Sequence, residues 1–309
     1  MDLGGPAHYA DFGGAGHPIV LLHGLGGSHL NWLAVAPRLA RLGRVLAPDL
    51  LGHGRTRSLG RPATVDGNLR LLGRFLEEVV REPAALVGNS MGGTLAMALA
   101  AATPERVSSL VLVAPAAPIS ASALLDREVF ALFAGAAVPL LGGAVVRWRR
   151  RNGPERLVAD SLELVCADAR RVPEDIVEAH VELARERAEY GPAVVRDFLA
   201  AERSLVAKLV RRRRFREMVA RVRLPALLVQ GERDRLVRVE TTRALAASRS
   251  DWRLEVMADV GHLPQLEAPE PFLGLVAPWL DGAGVPGGGP PPETLAHPEQ
   301  PPRERQPVG

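Results

Sequence analysis

The sequence predicts an α/β protein with a doubly wound, mostly parallel sheet, and two observations support this prediction. Short apolar runs alternate with helical patterns through the first third of the 309 residues, and the alternation returns near the end. Apolar runs closed by Gly, Pro or Asp are typical of strands that are covered on both faces. The middle of the chain, at about residues 116–222, contains helical patterns alone. It therefore predicts a helical insertion that sits on the sheet domain.

The predicted strands and helices follow one another in regular order. Four strand patterns occupy the first third: PIVLLHG (18–24), RVLAPDLLGHG (44–54), AALVGNS (84–90) and VSSLVLVAP (107–115). The helical segments between them lie near 31–42, 66–81 and 91–102. After the insertion come the strand patterns LPALLVQGERD (224–234) and WRLEVMADVGH (252–262), a helix between them, and another near 267–280. This strand–helix alternation favours parallel strands joined by helical crossovers.

The predicted domain organisation has three parts. Residues 1–115 and 223–281 form the sheet domain, and residues 116–222 form a helical lid, with apolar stripes at helical spacing. Residues 282–309 are dominated by Gly, Pro and polar groups. Such a segment buries too little apolar area to offset its chain entropy, so we expect a disordered tail.

The composition limits the cellular context and the partners. Cys166 is the only cysteine, which excludes an intrachain disulfide, and the N-terminus lacks the pattern of a secretory signal. We therefore expect a cytoplasmic protein. The formal net charge is +3, but Lys208 is the only lysine, so arginine is the general cation of this chain. The run Arg211–Arg214 consequently predicts a solvated helix face, and no nucleic-acid partner is expected.

Ser90 is the first candidate for chemistry. It stands in GNSMGG between Gly88 and Gly92, after the strand AALVG and before the helical pattern MGGTLAMALAAA. Glycines permit a sharp strand-to-helix turn, and the start of the helix directs N–H groups at developing negative charge. Serine is also a common helix N-cap, so Ser90 alone would leave both interpretations open.

A serine nucleophile needs a base, and the base needs an orienting acid. Asp234 follows the strand LPALLVQG, and His262 follows the next strand. Both therefore lie at carboxyl ends of strands, where an open parallel sheet gathers its site. Glu232 and Asp259 are the alternative acids, and we rank Asp234 first because a short turn could return it toward the histidine. A turn role for Asp234 and a core role for His262 are the competing interpretations.

These segments together resemble the α/β-hydrolase fold family. The matching features are LLHGLGGS, APDLLGHGRT, GNSMGG, GERD and GHLPQLEAPE, in this order, and the resemblance covers all but the tail and is weakest in the lid. The resemblance implies a lid inserted after the sixth strand of the family pattern. It also implies an oxyanion hole formed by the backbone N–H groups of Leu25 and Met91. His23 and His53 lie in glycine-rich turns, where a structural role is expected.

The function implied by the resemblance is hydrolysis of a carboxylic ester or related acyl compound through an acyl-enzyme. Ser90, Asp234 and His262 would form the triad, and no cofactor is implied. Hydrolysis of a carbon–carbon bond in ring-cleavage products is the main enzymatic alternative. GNSMGG and the Asn31–Trp32 pair resemble that group, whereas Leu263 stands where several of those enzymes carry tryptophan. A cofactor-free haloperoxidase or perhydrolase activity, and a ligand-binding receptor on the same fold, are further alternatives.

The apolar segment Val129–Val146 bears on the substrate. It carries no charge and precedes several arginines, but Pro139 and Gly142–Gly143 interrupt it. A membrane span there would also separate Ser90 from Asp234 and His262 by a bilayer, so we predict a lid hairpin. Such a hairpin favours a small-molecule ester with a hydrophobic acyl or alcohol group as substrate and leaves reversible contact with a membrane surface open. No metal site is predicted, because the sequence has no His/Cys cluster at ligand spacing.

Overall fold

The computed structural model describes residues 1–118 and 152–282, and these contain one seven-stranded sheet. Its strands are β1 (Tyr9–Gly13), β2 (Pro18–Leu22), β3 (Arg44–Pro48), β4 (Ala84–Asn89), β5 (Val107–Val113), β6 (Ala226–Gly231) and β7 (Trp252–Met257). The strand order is β1-β3-β2-β4-β5-β6-β7. β1 runs antiparallel to β3, and every other pairing in this sheet is parallel. The predicted doubly wound, mostly parallel sheet is confirmed.

Ten α-helices accompany the strands in the described residues. They are α1 (Ala36–Leu39), α2 (Val65–Phe75), α3 (Met91–Ala102), α4 (Pro154–Val165), α5 (Glu174–Ala188), α6 (Ala193–Leu209), α7 (Arg212–Arg221), α8 (Val239–Ala247), α9 (Pro264–Glu267) and α10 (Pro269–Leu280). A π-helical turn, Leu76–Val80, continues α2, and short 3₁₀ turns lie at His29–Trp32, Pro104–Arg106 and Ala169–Arg171.

The observed helices and strands differ from the predicted ones in three places. The segment predicted as one helix over 31–42 is a 3₁₀ turn followed by the four-residue α1, because Pro37 lacks an N–H and fits only a first turn. The helix predicted near 267–280 breaks at Ala268, since Pro269 begins a new helix there. β1 was not predicted, because its five residues are half-exposed at the sheet edge and show no continuous apolar run.

Two apolar clusters cover the two faces of the sheet. In β2, Val20 and Leu22 join the cluster that contains α2 and α3, whereas Ile19 and Leu21 join the cluster that contains α1 and α10. Successive strand residues point to opposite faces, so every central strand must be apolar on both. This explains the continuous apolar runs of the sequence. Because β4, β6 and β7 belong to the parallel part of the sheet, their carboxyl ends lie along the same edge of it.

The helical insertion has two kinds of packing. Val158 and Leu162 of α4 form a small cluster with Leu263 and Leu266, beyond the end of β7. The later part of the insertion packs with the main sheet cluster through Ala201, Leu205, Leu209, Phe215 and Val219. The exact domain boundaries at 116 and 222 stay predictions.

Some predicted features fall outside the described residues. They are the apolar segment Val129–Val146, the arginines that follow it up to Arg151, and the tail after Gly282. Among residues 1–118 and 152–282, no helix combines the length and the apolar character that crossing a membrane requires.

Candidate active site

Ser90 occupies a tight turn between β4 and α3. Its backbone has φ 54° and ψ −116°, a left-handed conformation that side-chain-bearing residues rarely adopt. Its side chain does not cap α3, so the N-cap role is not the one that Ser90 performs. The turn is held by its own backbone instead: the N–H of Ser90 donates to the carbonyl of Val113, and its carbonyl accepts from Ala116. Strain held in this way is common at functional residues.

The glycines around Ser90 permit this turn by close backbone packing. A Cβ atom at Gly88 would lie 2.4 Å from the carbonyl oxygen of Gly92, and one at Gly92 would lie 2.1 Å from that of Leu22. A Cβ atom at Gly24 would lie 3.0 Å from the Cβ of Ser90. Side chains at these positions would therefore separate β4, α3 and the loop after β2. The glycines of the G-x-S-x-G pattern are thus required by the close packing of this strand-to-helix turn.

Two backbone N–H groups at the Ser90 turn and in the neighbouring loop after β2 have no acceptor in the described part of the chain. Neither the N–H of Leu25, just after Gly24, nor that of Met91 has a hydrogen-bond acceptor among residues 1–118 and 152–282. Met91 is the first residue of α3, so its N–H also lies at the positive end of the helix dipole. Unpaired N–H groups next to a serine are suited to bind an anionic oxygen.

His262 and Asp234 are in direct contact. The Nδ1 of His262 lies 2.7 Å from Oδ2 of Asp234, and both side chains are almost completely buried. Because a carboxylate accepts, Nδ1 carries the proton and Nε2 is left as the basic nitrogen. Oδ1 of Asp234 accepts from the N–H groups of Leu236 and Val237, at 2.8 and 2.9 Å. The turn GERDRLV thus folds back and aims the carboxylate at the histidine.

The alternative acids lie elsewhere. Glu232 is exposed. Asp259 forms ion pairs with Arg171 and Arg233, each at 2.6 Å, and the Arg171 hydrogen bond lowers the pKa of this carboxyl. Neither contacts His262 in the described residues, so Asp234 is the acid that the structure brings to the histidine.

Two further residues, neither of which the sequence pattern indicated, support Asp234. The Nε2 of Gln230 donates to Oδ2 of Asp234 at 2.9 Å and to the carbonyl of Val237. The hydroxyl of Thr242 donates to Oε1 of Gln230 at 2.6 Å. Gln230 is fully buried in β6. A polar residue inside the apolar run ALLVQG was the only signal that could have identified it.

Asn89 joins the serine turn to the histidine loop. Its buried amide Nδ2 donates to the carbonyl of His262 at 3.1 Å and to that of Val113 at 3.2 Å. Asn89 immediately precedes Ser90, so this contact brings the serine turn and the His262 backbone to the same edge of the sheet. Ser90, Asp234, His262, Leu25 and Met91 all lie at that edge.

His23 and His53 take structural roles, as predicted from their turns. Nδ1 of His23 donates to the carbonyl of Gly24, and Nε2 accepts from the N–H of Leu50 at 3.0 Å. Burial lowers the pKa of His23 to about 4 and that of His53 to about 3. Both imidazoles are therefore neutral near pH 7, and His23 supports the turn that carries Leu25.

One spatial cluster was not visible in the sequence. Potential ligand atoms of His8, His29 and Asp49 lie within 4.8 Å of one another. Both imidazoles hydrogen-bond to the Asp49 carboxylate, which also accepts from the N–H groups of His29 and Arg55. The carboxylate is thus satisfied by N–H donors, and its neighbours hold its pKa well below the usual range. This network joins the start of the chain to the loops after β2 and β3.

Three other groups make no hydrogen bond or ion pair with Ser90, Asp234 or His262 in the described residues. His180 is half-buried on α5, where Nδ1 donates to the carbonyl of Ile176. Burial raises the pKa of the Cys166 thiol to about 12, so the thiol is neutral and a poor nucleophile near pH 7. Arg211–Arg214 are exposed at the start of α7, as the solvated-face prediction requires.

Comparison with known proteins connects this site to a family. A family model described as the alpha/beta hydrolase fold matches residues 17–269. A 2-hydroxymuconate semialdehyde hydrolase from Pseudomonas sp. (strain CF600) is 30% identical over 277 residues, which cover 86% of this chain and 88% of that protein. A monoacylglycerol lipase of Homo sapiens is 27% identical over 281 residues, 88% of this chain and 78% of that protein.

Solved structures share the fold. A meta-cleavage product hydrolase from Pseudomonas fluorescens IP01 superimposes with a TM-score of 0.68 at 23% identity, covering 90% of this chain and 95% of that one. A thermophilic esterase from Thermogutta terrifontis superimposes with a TM-score of 0.66 at 24% identity, covering 90% and 94%.

Proposed function

Because the chain belongs to the α/β-hydrolase fold family, we propose that it is a serine hydrolase that cleaves carboxylic esters or related acyl compounds through an acyl-enzyme. One observation carries the proposal: the buried 2.7 Å contact between His262 and Asp234, at the sheet edge where Ser90 is held in a strained turn. The monoacylglycerol lipase among its relatives supports the same class of reaction.

The first half of the reaction acylates the enzyme. The Oγ of Ser90 bonds to the substrate carbonyl carbon while its proton passes to Nε2 of His262. Asp234 stabilises the imidazolium through the Nδ1 hydrogen bond. The N–H groups of Leu25 and Met91 hold the oxyanion, and each such donor typically contributes about 3 kcal/mol to transition-state stabilisation. The carbon–oxygen bond to the alcohol then breaks, and Nε2 gives its proton to the departing oxygen.

The second half releases the acid. Water loses a proton to Nε2 and bonds to the acyl carbon, which forms a second tetrahedral intermediate at the same oxyanion site. The bond to Oγ breaks, and the proton on Nε2 returns to Ser90. No step consumes a cofactor, and His262 ends in its starting protonation state.

An apolar substrate is the favoured choice. The ring of Phe198, on α6, would lie 3.3 Å from a Cβ atom at Gly26. An apolar residue of the helical insertion therefore borders the turn that carries Leu25. Leu263, next to His262, is buried in an apolar cluster. The sequence Val129–Val146, in the same part of the chain, carries no charged residue. Together these residues support a hydrophobic acyl or alcohol group.

Carbon–carbon bond hydrolysis of a ring-cleavage product is the second candidate. The 30% identity to the 2-hydroxymuconate semialdehyde hydrolase favours it. Asn31, one of the sequence features that resembled that group, has a role without substrate: its Oδ1 accepts the N–H of Ser28 at 3.0 Å and caps the 3₁₀ turn. The ester reaction therefore stays the first proposal.

The test is a series of p-nitrophenyl esters from acetate to dodecanoate, run beside a ring-cleavage product with the wild type and with Ser90→Ala. We expect a burst of one p-nitrophenol per enzyme, turnover that peaks at medium or long chains, and no turnover by Ser90→Ala. A peak at acetate with a steep fall by octanoate would contradict the apolar substrate. Faster turnover of the ring-cleavage product would favour the second candidate, and saturable binding without turnover would favour a receptor.

A further inference from the structure

The loop that carries His262 is packed directly on the end of α4. The N–H of His262 donates to the carbonyl of Val165, the last residue of that helix, at 2.6 Å. One residue earlier, a Cβ atom at Gly261 would lie 2.6 Å from both the carbonyl oxygen of Val165 and the nitrogen of Ala167. The backbones of the two segments therefore touch without intervening side chains.

A buried carboxylate joins the same two segments. Oε2 of Glu267, in α9, accepts from the N–H of Gly261 at 2.7 Å and from that of Ala167 at 3.1 Å. Oε1 accepts from the N–H of Asp168 at 2.9 Å, and the guanidinium of Arg171 lies 3.6 Å away. Only 3% of Glu267 is exposed. A single side chain thus satisfies backbone donors from both the histidine loop and the insertion.

These contacts restrain His262 from the backbone side. Asp234 holds the imidazole of His262, and Asn89 holds its carbonyl. The N–H of His262 depends on Val165, and the N–H of the preceding Gly261 depends on Glu267. Without the carboxylate, three backbone N–H groups would lose their acceptor in a largely buried place. The loop would then relax away from α4, and the imidazole would move with it.

We propose that Glu267 is a positioning residue that fixes the end of α4 to the His262 loop, so that this part of the insertion and the base move as one body. The proposal rests on the proposed function only in assigning proton transfer to His262. This link makes the insertion part of the support of His262. A displacement of α4 is transmitted to the imidazole, and α4 cannot move away from the His262 loop without moving the imidazole.

Hydrogen exchange of the full-length protein tests the mechanical part without any substrate. Glu267→Gln keeps the side-chain size but presents an NH₂ group to the N–H donors. We expect the amides at 165–168 and at 261–262 to exchange at least about tenfold faster in this variant, while the amides of β4 stay unchanged. Glu270→Gln, at an exposed glutamate that pairs with Arg38, is the matched control and should alter neither segment. Faster exchange at 165–168 alone, or in neither segment, would overturn the proposal.

Kinetics test the positioning part. Glu267→Gln should lower kcat for a p-nitrophenyl ester by about tenfold or more with KM within about twofold, because misplacing a reacting group by about 1 Å is costly. Gly261→Ala strains the same junction from the other side, since its Cβ meets Val165 and Ala167. The two effects on kcat should be non-multiplicative in the double variant. Multiplicative effects, or an unchanged kcat in Glu267→Gln, would overturn the proposal.

The two proposals fail in different ways. If the wild type neither turns over an ester nor labels at Ser90, the proposed function fails, and hydrogen exchange still decides whether Glu267 joins the segments. If the wild type is active and Glu267→Gln matches it in exchange and in kcat, only the positioning role fails.

Discussion

The serine turn and the histidine loop lie at the same edge of the sheet but are built differently. The serine turn consists of one strand, one turn and one helix, and glycines let their backbones touch. The histidine loop donates hydrogen bonds to Asp234, Val165 and Glu267 and accepts one from Asn89, and all of these partners except Glu267 are distant in the chain. The serine turn is therefore held by close backbone packing, whereas the histidine loop is held by a hydrogen-bond network that includes the helical insertion. Different substitutions should therefore impair the serine turn and the histidine loop.

The largest effect is expected where backbone packs on backbone. Gly92→Ala would place a Cβ atom 2.1 Å from the carbonyl oxygen of Leu22, and neither segment can shift without separating α3 from β2. We expect no folded protein, or a free energy of unfolding lowered by more than about 4 kcal/mol in urea titrations. Gly274→Ala is the control: it lies in α10 with nothing within 4 Å of its Cβ, and should be neutral or stabilise by up to about 1 kcal/mol. Equal effects would show that the serine turn does not depend on these sterics.

Acid should destabilise the protein through the buried histidines His23 and His53. Burial lowers the pKa of His53 from 6.5 to about 3, so below pH 6.5 the unfolded chain binds a proton that the folded chain does not. Stability should fall with decreasing pH by up to about 1.4 kcal/mol per pH unit for this residue. His53→Gln should reduce that slope between pH 6.5 and 4.5 in unfolding titrations. His17→Gln, at an exposed histidine, controls for the loss of an imidazole, and an unchanged slope in His53→Gln would refute the account.

A smaller effect is expected at the support of Asp234. Gln230→Leu removes the amide that donates to Oδ2 of Asp234 and to the carbonyl of Val237. We expect a free energy of unfolding lowered by about 1–3 kcal/mol and a kcat lowered by about tenfold. Gln265→Leu is the matched control, because that buried amide has no hydrogen-bond partner among residues 1–118 and 152–282, and the substitution should be neutral or stabilising. Similar losses in both variants would mean that the Gln230 contacts contribute nothing specific.

The smallest effect concerns the strain at Ser90. At φ 54° and ψ −116°, glycine is less strained than alanine, so Ser90→Gly should be more stable than Ser90→Ala by about 1 kcal/mol. Both variants lack the hydroxyl, so only the backbone distinguishes them. Ala98→Gly, within α3, should show the opposite sign, since glycine destabilises a helix. A Ser90→Gly variant that is less stable than Ser90→Ala would argue against stored strain.

The same contrast explains what the sequence could predict. The serine turn was predictable because G-x-S-x-G, its strand and its helix are adjacent in the chain. Asp234 and His262 were predictable from their order and from the strands that they follow. Gln230, Thr242 and Glu267 were not, because their roles depend on partners that only the fold brings close. The grouping of His8, His29 and Asp49 was hidden for the same reason.

Stoichiometric labelling with a fluorophosphonate, followed by measurement of the intact mass, tests whether Ser90 is the proposed nucleophile. We expect one adduct on the wild type, formed rapidly, and none on Ser90→Ala, because only a serine activated by His262 and Asp234 attacks the phosphorus at neutral pH. An unlabelled wild type, or equal labelling of Ser90→Ala, would contradict the claim that Ser90 is the nucleophile.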